Sequence, residues 1–202
     1  MSVDTYVFAE RAGGQARPIL FTFHGTGGDE QQFHRFGGDL MPEATVISPR
    51  GDVSEYGALR FFKRRAEGQY DMADLARATD KMAGFIREQT EAHGATAVIG
   101  LGYSNGANIL ANVLIEYPGL VDAAVLMHPL IPFTPKDGAL FGTDVLITAG
   151  QHDPICPAGL TERLAEHLVG QGASVTIDWH EGGHELRQSE VTAVQAFLAR
   201  FA

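Results

Sequence analysis

One cysteine, Cys156, is all that the 202-residue chain carries, which excludes an internal disulfide and suits a reducing compartment. Cationic charge is also short: 15 Lys and Arg stand against 25 Asp and Glu, a formal net charge of −10. Phosphate-rich surfaces repel such a chain, so nucleic acid and anionic membrane are argued against as partners. An apolar stretch of about 18 residues, the length a membrane helix needs, is missing. So is a basic-then-apolar leader. The expectation is a chain that begins near Met1, works in the cytoplasm and forms no stable membrane association. Repeats and low-complexity linkers are absent as well, and residues 1–202 read as a single domain long enough for a buried sheet but without room for a large lid.

What the chain does have is alternation. Strand-like apolar runs are predicted over Thr5 to Ala9, Ile19 to Phe23, Thr45 to Ser48, Ala97 to Leu101, Ala123 to Met127, Val145 to Ala149 and Val175 to Trp179. Helical patterns are predicted over Glu30 to Met41, Met72 to His93, Asn105 to Tyr117, Gly159 to Gln171 and Glu185 to Phe201. In the second of these Leu75, Ala78, Met82, Phe85 and Ile86 recur at helical spacing and read as core. Strands alternating with helices make an α/β protein whose ligands sit beyond the carboxyl ends of the strands. The connection from Pro49 to Tyr70 is the one irregular stretch, and loops of that length are usually functional.

The most informative residues follow the fourth strand: Gly102-Tyr103-Ser104-Asn105-Gly106. A serine between two glycines at a strand-to-helix junction can occupy a strained turn that projects its hydroxyl, which makes Ser104 a candidate nucleophile. An ordinary βα turn, or a dinucleotide-binding turn built on Gly100, Gly102 and Gly106, reads the same residues differently. Two later loops favour the nucleophile. Asp153, held extended by Pro154, follows the strand ending at Ala149, and His184 lies on a Gly182-Gly183 turn after the last strand. Serine, acid and histidine thus come in the order and at the strand ends that acyl transfer needs, with Asp153 orienting the His184 base. The early loop His24-Gly25-Thr26-Gly27-Gly28 supplies a place for an oxyanion hole, with backbone N–H donors assigned to Thr26 and Asn105. As a phosphate cradle it would fare badly, because Asp29 and Glu30 repel an anion there.

These motifs, together with Asp153-Pro154-Ile155-Cys156-Pro157, resemble the α/β-hydrolase superfamily and, within it, the phospholipase/carboxylesterase family of small lidless esterases. The resemblance covers nearly the whole chain. It implies a mostly parallel central sheet flanked by helices, no large lid, and a triad of Ser104, Asp153 and His184. Many relatives carry Gln where this chain has Asn105, and a different segment where it has Arg60-Phe61-Phe62-Lys63-Arg64-Arg65. That variant segment is similar to a bacterial subgroup of predicted esterases, some of them associated with resistance to quinone-like compounds.

The expected function is hydrolysis of small carboxylic esters or thioesters, with a small-molecule ester as partner and no cofactor. Other readings are a catalytically idle binding protein on the same fold and a nicotinamide-dependent oxidoreductase. No metal is expected, since His180 and His184 offer no two-histidine helical face. Cys156 is a second nucleophile or a small buried thiol, the latter favoured. Substrate contacts are assigned to Arg60, Phe61, Phe62, His128, Phe133 and Ile155, with Leu130 and Ile131 adding to an apolar wall. The aromatics at 61 and 62 could instead anchor the loop to the core, and His128 could be structural. Arg60, Lys63, Arg64 and Arg65 form a basic cluster that is either a solvated face or a steering device for anionic substrate. A homodimer is left open.

Overall fold

The computed structural model describes residues 5–202, so the expected chain start at Met1 lies outside the described residues. In chain order the elements are β1 (Phe8–Arg11), β2 (Ile19–Phe23), α1 (His34–Leu40), β3 (Thr45–Pro49), β4 (Val53–Glu55), β5 (Ala58–Arg60), β6 (Arg64–Ala66) and β7 (Gln69–Tyr70). There follow α2 (Met72–His93), β8 (Val98–Tyr103), α3 (Asn105–Glu116), β9 (Ala123–Met127), β10 (Asp144–Gly150), α4 (Ala158–Gly170), β11 (Ser174–His180) and α5 (Gln188–Leu198). Seven strands pair in the order β1-β3-β2-β8-β9-β10-β11. Only β1 runs antiparallel to its neighbour; the remaining pairs are parallel.

Strands covered on both faces should be apolar at consecutive positions, and β2, β3 and β9 are buried at every residue. Because side chains alternate across a strand, Phe21 and Phe23 of β2 join one core cluster while Leu20 joins the other. The first cluster is closed by α2, α3 and α4 through Leu75, Met82, Ile109, Leu110, Leu164 and Leu168. The second is closed around α1 and α5 through Met41, Val194 and Leu198. Helices on both faces of a mostly parallel sheet make the α/β architecture that the α/β-hydrolase resemblance implies.

Helix α2 spans the predicted residues because its ends are capped. The Asp71 side chain accepts from Asp74 N–H at the start, and Gly94 takes a left-handed φ of 55° at the end. Two predicted helices start late for local reasons. Asp29 turns the chain by accepting from Gln31 N–H on its side chain and from Gln32 N–H on its carbonyl, so α1 begins only at His34. Ahead of α5, Glu185 is tied to Arg187, and Arg187 N–H donates to Glu190, which sets the first helical residue at Gln188.

The stretch from Pro49 to Tyr70 is not irregular. It folds into two small antiparallel hairpins, β4–β5 and β6–β7. In the first, Tyr56 and Gly57 take φ of 51° and 89°, the pair of positive values that a tight two-residue hairpin turn demands. Strands of two or three residues carry too little periodicity to be read from sequence.

Candidate active site

Ser104 closes the junction between β8 and α3 with φ 52° and ψ −116°, a conformation unfavourable for a residue with a Cβ. The glycines two residues to either side are sterically required. A Cβ on Gly102 would lie 2.5 Å from the Gly106 carbonyl oxygen, and one on Gly106 would lie 2.3 Å from that of Phe23. The turn is therefore packed tightly between β2 and α3.

The loops after β10 and β11 meet through a similar close approach, since a Cβ on Gly150 would fall 2.1 Å from Gly183 O. Their contact brings Asp153 to His184. His184 Nδ1 lies 2.7 Å from Asp153 Oδ2, and Nε2 lies 3.0 Å from Ser104 Oγ. An ionised carboxylate only accepts, so Nδ1 carries the ring proton and Nε2 is left to accept from the serine hydroxyl. Burial alone would raise Asp153, but bonds from Cys156 N–H, His128, His184 and Ile155 N–H outweigh it and hold the carboxyl below its ordinary range. From β8, Tyr103 steadies the histidine loop by donating its hydroxyl to His184 O at 2.8 Å. Burial pushes that phenol up to about 12, so it stays a donor.

Thr26 and Asn105 line the same cavity as Ser104 and His184. Asn105 is the first residue of α3, where backbone N–H groups have no intrahelical acceptor. Both side chains are tied back: Thr26 Oγ1 accepts from Arg60 Nη1 at 2.6 Å, and Asn105 Oδ1 accepts from Phe61 N–H at 2.8 Å. His24 pins the early loop, with Nδ1 2.7 Å from Gly25 O and Nε2 accepting from Gly51 N–H at 2.8 Å. Burial lowers its pKa and favours the neutral tautomer this pattern requires.

The cavity has a volume of about 260 Å³ and is walled largely by polar side chains. Arg60 and Ile155 line it, as does Leu130. Phe61 and Phe62 do not; both are completely buried, Phe61 against Phe23 and His24, and Phe62 edge-on to Tyr70. They anchor the hairpins to the core. His128 is likewise fully buried and bonded to Asp153, so it makes no cavity wall. Phe133, with Ile131, lines a separate cavity beside Leu160 and His167.

Sequence reading missed Tyr70, Asn108 and Glu67, which also face the site, as does Arg64 of the basic cluster. Tyr70 donates to Leu130 O, Asn108 Nδ2 donates to Tyr70 Oη, and Leu130 N–H donates to Asn108 Oδ1, a ring joining segments far apart in sequence. Two members of the basic cluster are paired: Arg64 with Glu55 and Glu67, and Arg60 with Glu55. Cys156 lines the cavity too, but its thiol donates to His128 O and burial pushes it well up, so no thiolate forms. His128, Asp153 and His184, and likewise His128, His180 and Glu190, lie close enough to surround a cation. Their facing atoms are already bonded to one another within the cluster.

The dienelactone hydrolase family model matches residues 61–191. This chain belongs to the dienelactone hydrolase family. It is 39% identical over 180 residues to MhqD of Bacillus subtilis (strain 168), covering 88% of this chain and 90% of that one. Among solved structures it is similar to Atu2452 of Agrobacterium tumefaciens (58% identity, TM-score 0.97, complete coverage of both chains). It is also similar to the Bacillus cereus carboxylesterase (35% identity, TM-score 0.92, 98% of this chain and 95% of that one). The α/β-hydrolase resemblance holds, and the protein is a carboxylic-ester hydrolase acting on small molecules. Among the described residues no helix is long and apolar enough to cross a membrane.

Proposed function

We propose that this hydrolase cleaves small carboxylic esters through an acyl-enzyme on Ser104. Ser104 Oγ attacks the ester carbonyl carbon while its proton passes to His184 Nε2. Negative charge builds on the carbonyl oxygen, which the backbone N–H groups of Thr26 and Asn105 receive. Collapse breaks the bond to the alcohol, and His184 returns the proton to that leaving oxygen. Water, deprotonated by His184, then attacks the acyl carbon and releases the acid with Ser104 restored. Asp153 holds the imidazole in the tautomer that can accept.

What supports this most is the unbroken hydrogen-bonded chain from Ser104 Oγ through His184 to Asp153, at 3.0 and 2.7 Å. The lone buried Cys156 supports work in a reducing compartment, the cytoplasm. A fluorophosphonate probe should label Ser104, and Ser104→Ala should lower kcat on p-nitrophenyl acetate by about 10³-fold or more. Hydrolysis by purified Ser104→Ala at the native rate would sink the assignment.

A further inference from the structure

From Asp153 a second hydrogen-bonded cluster continues into the protein. His128, in the loop after β9, has Nδ1 2.9 Å from Asp153 Oδ2 and Nε2 3.1 Å from Glu190 Oε1. Glu190, on α5, is 1% exposed and otherwise saturated. Its Oε1 accepts from Thr148 Oγ1 at 2.6 Å and its Oε2 from Arg187 N–H at 2.7 Å. His180, at the end of β11, accepts from Gly182 N–H on Nδ1, which leaves Nε2 to donate; it lies 3.3 Å from Glu190 Oε2 and 3.4 Å from His128 Nε2. Both ring nitrogens of His128 therefore face carboxylate oxygens. A neutral imidazole carries one N–H and would turn a lone pair on one of them in a dry site; the imidazolium donates to both. Two buried carboxylates and one imidazolium also leave the net charge of a single carboxylate.

We propose that His128 is a positioning residue for ester hydrolysis, a buried imidazolium that clamps Asp153 to Glu190 and keeps Asp153 Oδ2 aimed at His184 Nδ1. The inference rests on the Ser104 acyl-transfer reading. The backbone is built for the clamp: His128 is held at φ 51° with its N–H donated to Thr148 O at 2.8 Å and its carbonyl receiving the Cys156 thiol. Burial pulls the His128 ring toward its neutral form, but bonds to Glu190 and Asp153 outweigh it and raise its pKa. The other titratable groups facing the ring are His180 and His184, with ring centres 5.3 and 5.1 Å away, Tyr103 at 5.9 Å from β8, and Cys156.

His128→Asn tests this, because asparagine tolerates the left-handed backbone and can keep a donor near Asp153 while losing the charge. A cation beside His184 opposes protonation of the base, so its removal should raise the pH of half-maximal kcat/KM on p-nitrophenyl acetate by about one unit. The variant should lose about tenfold in kcat at pH 7 with KM little changed. In the wild-type enzyme, ¹⁵N-histidine spectra at pH 7 should show one buried ring protonated at both nitrogens, a signal that moves in Glu190→Gln. That measurement stands even if His128→Asn fails to fold. A neutral His128 overturns the proposal, and so does an unmoved acid limb in a folded variant whose Ser104 still takes the fluorophosphonate. Failure of wild-type Ser104 to take the probe overturns the acyl-transfer reading and this inference with it.

Discussion

At Ser104 the chain accepts a left-handed backbone to lift one hydroxyl clear of the sheet, and its neighbours at 102 and 106 absorb the packing consequence. The cost of adding one carbon differs sharply between glycines. On Gly106 a Cβ would sit 2.3 Å from Phe23 O and 2.6 Å from His24 O, so β2 and the Thr26 loop must both shift. On Gly84, inside α2, a Cβ meets nothing within 4 Å. Gly106→Ala should lower Tm by roughly 3–10 °C, as about 1–3 kcal/mol of overpacking does in a protein this size, and abolish most esterase activity. Gly84→Ala should raise stability by about 0.5–1 kcal/mol and leave the rate alone. Thermal denaturation and p-nitrophenyl acetate turnover of the two variants check the contrast; similar behaviour of both would remove the steric account of the turn.

The two hairpins β4–β5 and β6–β7 are the elements that shape the cavity. Their buried side, through Phe61 and Phe62, belongs to the core, while Arg64, Glu67 and Tyr70 face the substrate space. The hairpin wall of the cavity is thus charged and hydroxylic, with Leu130 and Ile155 also on the lining, and a long acyl tail would have to displace paired ions to lie against it. In a p-nitrophenyl ester series kcat/KM should peak at two to four acyl carbons, by expectation roughly, and fall by at least about tenfold by twelve, since a site can reject groups whose burial leaves polar atoms unpaired. A maximum at sixteen carbons would contradict this picture of the hairpins. The correction at Phe61 and Phe62 has a plain origin: an aromatic pair beside arginines looks the same in sequence whether it faces ligand or core.

Across the whole molecule, pH acts on stability through the buried ionisable cluster. Asp153 and Glu190 lie below their ordinary values of 3.8 and 4.5, with hydrogen bonds outweighing burial. Their stabilisation is present above those values and is lost as pH falls through the lowered folded ones. His128 lies above 6.5, so its contribution is complete below that pH and is lost as pH rises through its raised folded value. Both contributions coexist between about pH 4.5 and 6.5. His24 and His34, lowered by burial, oppose acid folding, but their effect cancels between two proteins that share them. The Tm gap between wild type and Glu190→Gln should therefore be widest in that window and narrow on either side. A gap that keeps widening from pH 6.5 to 9 would show that His128 is not the partner of Glu190.

Much of this was legible in one dimension because its causes are local. Strands buried on both faces must be continuously apolar, as Ile19–Phe23 and Ala123–Met127 are, and a 22-residue helix with an Asp cap and a closing glycine declares both ends. The glycine-flanked Ser104 and the loop positions of Asp153 and His184 follow from the same local sterics and from strand order. Tertiary structure alone decided which side chains meet across distance. That the Phe61 N–H holds the Asn105 side chain, that Tyr70 and Asn108 share a wall, and that His128 stands between Asp153 and Glu190 depend on contacts between residues 22 to 62 positions apart. Such pairings have no period in the sequence, because they are fixed by how the sheet stacks its strand ends and not by any neighbour along the chain.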